Sequence, residues 1–246
     1  MPIRDFLLRI SSSEKSDGSS TSDFTVSYPN VQVLAKTVSI VVKHASFPNV
    51  FYNINSGNNE FIYRMAGGSD ASIVVPEGQY TISELMAYLN TSLAVFSVGT
   101  ITQDPHTFKL TLTATTYPFD LISSSMLPVL GFVATTAPLT SHLAPNMPQL
   151  QGVQHVFIKS RVLSKGNNFI DANTKQEQNI LAMIPCDVPF GSVKHYETVH
   201  DQLDVVNFPS ETSLQDIDIQ LVDSNGNELN LQGQDVNIVL KVYYLV

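Results

Sequence analysis

The feature that most constrains the fold of this sequence is an alternation of apolar and polar residues with a period of two. Ile217, Ile219 and Leu221 alternate with acidic and amide side chains, and a longer run of the same kind spans Val236–Tyr244. Successive side chains of a β-strand point to opposite faces, so this alternation predicts strands with one buried face. Such runs predict strands near residues 5–11, 24–28, 36–45, 59–65, 153–163, 178–185, 203–208, 214–222, 228–232 and 236–245.

Short turn clusters separate these runs, and "SGNN" and "DSNGN" are two of them. Gly, Asn, Asp and Ser favour the tight turns that connect neighbouring strands. About eight to ten short strands with regular turns suit two antiparallel sheets packed face to face. The sequence therefore predicts an all-β protein, an antiparallel single jelly-roll sandwich.

The segment "GQYTISELMAYLNTSL" departs from the period of two and predicts a helix. Its apolar residues recur at helical spacing and form one stripe. Thr81 is placed to cap the first turn while Glu84, three residues later, reaches back, which is a capping box. After the helix, the sequence predicts a hairpin around Asp104-Pro105, a short strand, and a helix that Pro128 restricts to one turn.

The helix and the short elements after it predict a small α+β unit at residues 71–134, inserted in the β fold. The first half of the jelly roll is then expected at residues 1–70 and the second half at residues 135–246. Pro and Thr dominate "TTAPLTSHLAPNMP". That composition predicts an extended connector from the unit back to the β fold.

The charge content bears on the partners of the chain. Charged residues make up 14% of it, against about 25% in typical globular proteins. Two interpretations stay open: a β-rich surface built from Thr, Asn and Ser, or a surface largely hidden in an assembly, because interface cores are depleted in charge. The net charge of −9 argues against direct nucleic-acid binding, which needs a basic face.

Cysteine content and apolar runs bear on the compartment. Cys186 is the single cysteine, so no internal disulfide forms, and a reducing compartment is expected. The apolar stretch near the N-terminus is too short for a signal peptide, and Arg4, Asp5 and Arg9 bracket it. No run approaches the roughly 18–20 apolar residues of a membrane helix. We expect a protein assembled inside a cell, without secretion by a signal peptide and without membrane insertion.

The densest cluster of metal-ligating residue types is "KHYETVHD", which contains His195, Glu197, His200 and Asp201. Two histidines five residues apart point to opposite faces of a strand and lie about 140° apart on a helix. A chelating pair needs both side chains on one face. The sequence therefore favours a solvated loop over a metal site, although a loop could still bring the two histidines together.

Three other arrangements invite a chemical interpretation. Cys186 with His195 could form a nucleophile and its base, but no activating motif surrounds the cysteine. Asp216 and Asp218 share the polar face of a strand, and solvent exposure or a neighbouring subunit explains them more simply than catalysis. No nucleophile elbow, phosphate loop, dinucleotide fingerprint or zinc-protease motif is present. We predict no catalytic residue, no cofactor-binding residue, no metal site and no enzymatic activity.

The stretch "LVDSNGNELNLQGQD" can be interpreted as a calcium loop or as a hairpin turn. Counted from Asp223, an EF-hand loop needs glycine at position 6 and glutamate at position 12, whereas this chain has Glu228 and Gln234 there. Asn225-Gly226 between two alternating runs predicts a hairpin, because both residues accept a positive φ angle.

Four motifs in this order resemble the penton proteins of the Polinton, virophage and polinton-like virus group. They are "VSIVVKHASFPNVFYNI", then "VVPEGQYTISELMAYLN" with "LPVLGF", then "HVFIKSRVLS" with "NILAMIPCDVPFGSVKHYE", and finally "LQDIDIQLVDSNGNELNLQGQDVNIVLKV". Together they extend from about Val38 to Val242. The resemblance implies a single jelly roll, a homopentamer, a place at the fivefold vertices of an icosahedral double-stranded DNA virus capsid, and contacts with a double-jelly-roll major capsid protein.

Three functions follow as hypotheses. The first is a minor capsid, or penton, protein of the virion vertex. The second is a virion attachment or receptor-binding module on a β-sandwich, with the unit at 71–134 as the surface that binds a host receptor. The third is a cupin-like metalloenzyme that uses His195 and His200.

Overall fold

The computed structural model describes residues 3–17, 20–29, 37–163, 169–170, 177–198, 205–212 and 214–246. The chain divides into two compact units. The first, called the roll, combines Met1–Phe51 with Val153–Val246, and the second, called the inserted unit, is Tyr52–Gly152. Each unit has its own cluster of buried apolar side chains.

The described elements are mostly short β-strands, with two helices and a 3-10 turn at Ser12–Glu14. In chain order they are β1 (Ile3–Ser11), β2 (Asp23–Ser27), β3 (Thr37–Pro48), β4 (Glu60–Met65), β5 (Asp70–Val74), α1 (Ile82–Val95), β6 (Gly99–Gln103), β7 (Leu110–Ala114), β8 (Phe119–Ile122), α2 (Leu127–Leu130), β9 (Ser141–Leu143), β10 (His155–Lys159), β11 (Phe169–Ile170), β12 (Glu177–Gln178), β13 (Ile180–Pro185), β14 (Val193–Glu197), β15 (Val206–Thr212), β16 (Asp216–Val222) and β17 (Asn237–Leu245).

Within the described residues, the roll contains two main antiparallel sheets and the short antiparallel pair β11-β12. Sheet A has the order β1-β17-β3-β14, with β15 beside β14 on the same strand β3, and sheet B has the order β13-β10-β16-β2. The first and last strands are neighbours along their whole length, from the pair Ile3 and Leu245 to the pair Ser11 and Asn237. The chain crosses between the two sheets several times, from β1 in sheet A to β2 in sheet B and back to β3, and later from β15 to β16 and back to β17. The predicted single jelly roll is confirmed.

The period-two pattern accounts for the core of the roll. On β17, Ile238, Leu240 and Val242 are buried and alternate with partly exposed residues. On β16, Ile217 and Ile219 are buried in the same way. Complete burial of one such side chain contributes about 1.5–3 kcal/mol, so the alternation supplies the main driving force for folding of the roll.

One predicted strand is absent from the structure, and one strand of sheet A was not predicted. The segment 228–232 forms no regular strand, and only an isolated bridge joins Glu228 to Val222. Strand β14 was not predicted, because its alternation is inverted: Val193 is exposed, whereas Lys194 lies on the more buried side and forms an ion pair with Asp187. Because Val193 lies on the exposed side and Lys194 on the more buried side, the strand lacks the usual alternation of buried apolar and exposed polar residues.

The inserted unit contains two three-stranded sheets and the helix α1. Sheet C has the order β5-β4-β8, and sheet D has the order β6-β7-β9. The stripe of the predicted helix is buried at Leu85, Leu89 and Leu93. No helix among the described residues is long and apolar enough to cross a membrane.

Local signals placed the helix ends and the hairpin of the inserted unit correctly. The Thr81 hydroxyl accepts a hydrogen bond from the Glu84 amide, and the Glu84 carboxylate accepts one from the Thr81 amide, so the capping box is confirmed. The helix α2 is one turn long with Pro128 in its first turn. In the β6–β7 turn, the Asp104 carboxylate accepts hydrogen bonds from the His106 and Thr107 amides.

The inserted unit is longer than the predicted span 71–134. Strand β4 falls in the predicted first half of the jelly roll, but it pairs with β5 and β8 and so belongs to the inserted unit. Strand β9 falls in the predicted connector, but it pairs with β7. Its three residues are too few to give a recognisable alternation, and long-range pairing alone identifies it as a strand.

Candidate assembly surfaces

Cys186 and His195 do not form a nucleophile and base. Cys186 follows β13 and packs against the core of the roll. On β14, Tyr196 also packs against that core, so the adjacent His195 points to the opposite face of sheet A, where it is exposed. Burial raises the pKa of the Cys186 thiol, Asp187 raises it further, and Lys194 acts in the opposite direction. The thiol is therefore protonated at neutral pH and is a poor nucleophile.

The histidine cluster "KHYETVHD" is only partly described. His195 pairs with Ser46 of β3, and Glu197 forms an ion pair of 3.9 Å with Lys43. His200 and Asp201 lie outside the described residues. A metal bound inside the roll needs inward side chains, and His195 faces outward. Within the described part of the chain, no three His, Cys, Asp or Glu side chains are grouped as metal ligands.

Asp216 and Asp218 lie on one face of β16, as predicted, but their surroundings differ. Asp216 is exposed and accepts a hydrogen bond from the Ser27 hydroxyl. Asp218 is only 18% exposed at its side chain. Its carboxylate accepts hydrogen bonds from the Ser160 hydroxyl, from the Arg161 and Val162 amides and from the Arg161 guanidinium. Asp218 thus holds the turn that follows β10.

The Asp223 carboxylate is part of a hairpin turn. It accepts hydrogen bonds from the Asn225 and Asn227 amides and from the Asn227 side chain. The Gly226 amide donates to the Asp223 carbonyl, which closes the turn. Within the turn, Gly226 has a positive φ of +83°, whereas Asn225 does not. The turn uses the oxygens that a calcium loop would offer to a cation.

Replacing Gly226 with alanine is expected to lower the free energy of unfolding of the roll by about 1 kcal/mol, because a Cβ atom is strained at positive φ. No neighbouring atom lies within 4 Å of that Cβ, so the loss is conformational rather than steric. Urea unfolding followed by circular dichroism measures it. Gly226→Asn is the matched control, since Asn tolerates this conformation better. Equal losses for both variants would contradict the explanation.

The outer face of sheet A carries paired charges. Lys241 lies 3.5 Å from Asp5 and 5.2 Å from the centre of the Tyr243 ring. At the end of β1, Arg9 lies 3.7 Å from Glu14. The edge strand β1 nevertheless exposes two large apolar side chains, Ile3 and Leu7, each 62% exposed. An edge strand with exposed apolar residues offers both backbone hydrogen bonds and apolar area to a neighbour.

The outer face of sheet D has no charged residue. Thr100 lies opposite Thr113 and Thr102 opposite Thr111, and Ser141 is the partner of Thr113 on β9. The three strands contain no Asp, Glu, Lys or Arg. We call this surface the uncharged face, and it consists of Thr100, Thr102, Thr111, Thr113, Ser141 and Leu143.

Exposed aromatic side chains of the inserted unit were not anticipated from the sequence. Phe96 is 60% exposed, Phe108 54% and Tyr117 63%, and all three lie in connections rather than in strands. Each is next to a Ser or Thr in the sequence, and no alternating pattern surrounds it.

Comparison with known proteins supports the architecture. No protein-family model and no curated protein matches the sequence. Among solved structures, the mavirus penton protein matches with a TM-score of 0.52 and 9% identity. The match covers 99% of this chain and 100% of that chain. The chain has a penton-like fold. The matched span includes the inserted unit as well as the roll.

Proposed function

We propose that the chain is a minor capsid protein, a penton, that forms the fivefold vertices of an icosahedral double-stranded DNA virus capsid as a homopentamer. The observation that carries the proposal is the penton-like fold along the whole chain. In this role the chain lies in the virion, is assembled inside the host cell, and contacts a double-jelly-roll major capsid protein around the vertex.

The distribution of charge supports a subunit of an assembly. Each copy carries a net charge of −9, so copies repel one another. A contact surface without acidic residues keeps the negative charges of two copies farther apart and so weakens this repulsion. The uncharged face offers a contact without charge desolvation, which is the expensive part of burying a polar surface. The exposed Ile3 and Leu7 on β1 offer apolar area on the roll.

The arrangement of reactive side chains supports a structural role over a catalytic one. Cys186 packs against the core while His195 points away from it. Asp218 and Asp223 use their carboxylates to hold turns of the roll. The two carboxylates stabilise the fold, which is the role expected of polar groups in a structural subunit of a shell. We propose that the chain is not an enzyme.

Native mass spectrometry and sedimentation velocity of the purified chain test the proposal. We expect a species of five copies of the 27.0 kDa chain, and class averages with fivefold symmetry by electron microscopy. A chain that stays monomeric across concentrations and salts, or that closes into a ring with another symmetry, would contradict the proposal.

A charge introduced on the uncharged face tests whether that face lies in a subunit contact. Thr102→Glu is expected to weaken pentamer formation by at least roughly tenfold, because the contact would then bury an unpaired carboxylate. His106→Glu adds the same charge to an exposed turn of the same unit that already contains Asp104 and Lys109, and it is the control. Equal effects of the two variants would place the contact elsewhere.

A second function, receptor binding at the vertex, is favoured by the exposed Phe96, Phe108 and Tyr117 of the inserted unit. Aromatic faces are frequent anchors in binding sites. A glycan array probed with the pentamer tests this function. A hit that is lost in Tyr117→Ser and retained in Tyr243→Ser, a change on the roll, would support it. An array without hits would count against carbohydrate as the receptor.

A further inference from the structure

His142 is a titratable side chain enclosed in the core of the inserted unit. It lies on β9 opposite Leu112 of β7 and is only 3% exposed. The centre of its ring lies 4.7 Å from the centre of the Phe119 ring. Its Nε2 atom lies 2.9 Å from the Phe119 carbonyl oxygen. A carbonyl only accepts hydrogen bonds, so Nε2 carries the proton of the neutral ring.

The other ring nitrogen of His142 has no hydrogen-bond acceptor. Nδ1 is buried, and no partner for it is found among the described residues. Protonation of the ring would place both a charge and a second N–H donor at this position. A buried donor without an acceptor destabilises a fold by about 1–3 kcal/mol, and a buried charge by more.

Few charged groups surround the ring. Strands β7 and β9 and the neighbouring β6 contain no Asp, Glu, Lys or Arg. On β8, Asp120 follows Phe119 and favours the protonated ring. The acidic residue of α1, Glu84, is held at the first turn by Thr81. Tyr63 and Tyr80 belong to the same cluster. Burial raises the pKa of both phenols above the ordinary value of 10, so neither carries a charge between pH 5.5 and 7.

We propose that His142 makes the inserted unit acid-sensitive: when its ring is protonated at Nδ1, β9 separates from β7 and the unit opens at this edge of sheet D. The strand is short enough for this to be a local event. It is held to its neighbours by a few hydrogen bonds, among them the Ala144 amide to the Leu110 carbonyl and the Ala114 amide to the Thr140 carbonyl.

The direction of the pH dependence follows from burial. Burial lowers the pKa of His142 below its ordinary value of 6.5, while the hydrogen bond to Phe119 and the charge of Asp120 oppose that shift. The open state therefore binds a proton before the closed state does. The stability from His142 is complete above about pH 6.5 and decreases as the pH falls below it. At pH 5.5 the closed state is disfavoured by up to roughly tenfold.

Hydrogen exchange of the Ala144 and Ala114 amides tests the proposal on the whole chain. Protection factors, corrected for the intrinsic exchange rate, are compared at pH 7.0 and 5.5 in the wild type. His142→Gln keeps an N–H group that can reach the Phe119 carbonyl but does not titrate. His106→Gln removes an exposed histidine of the same unit and is the control.

The expected result is a loss of protection at pH 5.5, up to roughly tenfold, in the wild type and in His106→Gln, and no such loss in His142→Gln. The same loss in all three chains would overturn the proposal. If His142→Gln does not fold, the NMR titration of the His142 ring in the wild type decides: a midpoint below 6.5 is required, and a midpoint at or above 6.5 overturns the proposal.

Discussion

Replacing Gly131 with alanine is expected to lower the free energy of unfolding of the inserted unit by about 3 kcal/mol or more. Gly131 ends helix α2 with a φ of +78°. A Cβ atom at this position would lie 2.3 Å from the carbonyl oxygen of Asn146 and 2.8 Å from its carbonyl carbon. The backbone segments also share a hydrogen bond, from the Asn146 amide to the Gly131 carbonyl, so neither can retreat without losing it.

Gly67→Ala separates the two causes of this loss. Gly67 lies in the same unit with nearly the same φ, +77°, but no atom lies within 4 Å of its Cβ position. Its replacement is expected to remove only the conformational part, about 1 kcal/mol. Denaturant unfolding of both variants measures the difference, which reports the steric contact with Asn146. Equal losses would show that Asn146 moves aside at little cost.

Asp218→Asn is expected to lower the free energy of unfolding of the roll by about 2–3 kcal/mol at pH 7. The carboxylate receives four hydrogen bonds from Ser160, Arg161 and Val162. An amide in its place offers one oxygen and directs an N–H group at other donors. Asp216→Asn, two residues away on the same face, removes an exposed carboxylate with a single hydroxyl partner, Ser27, and is expected to change stability by less than about 0.5 kcal/mol.

The difference in free energy of unfolding between Asp218→Asn and the wild type is expected to depend on pH. Burial raises the pKa of Asp218, but the hydrogen bonds from Arg161, Val162 and Ser160 together outweigh burial and hold it below its ordinary value of 3.8. The stabilisation is therefore fully present above pH 3.8 and is lost as the pH falls through the lower pKa of the folded state. Urea unfolding between pH 7 and pH 3 measures the free energy of unfolding of both chains. The difference between them should be constant above pH 3.8 and smaller below it. A difference that grows in acid would contradict this account.

The elements with local signals were predictable from the sequence. The period of two predicted the long strands of the roll, because burial of one face requires alternation and little else. Thr81 and Glu84 predicted the start of α1, since a capping box is formed within four residues. Asn225-Gly226 predicted a hairpin, although the structure requires positive φ only at the glycine.

Which of these elements pair with one another was not predictable from the sequence and is seen only in the folded chain. Strand β4 looks like part of the roll in the sequence, yet its partners β5 and β8 place it in the inserted unit. Burial of His142, the hydrogen bonds of Asp218 and the close approach at Gly131 all join residues distant in the chain. An alternation of apolar and polar residues, or a turn motif, indicates only the conformation of residues that are close together in the sequence. Contacts across long loops depend on how whole sheets pack, and no short stretch of sequence contains that information.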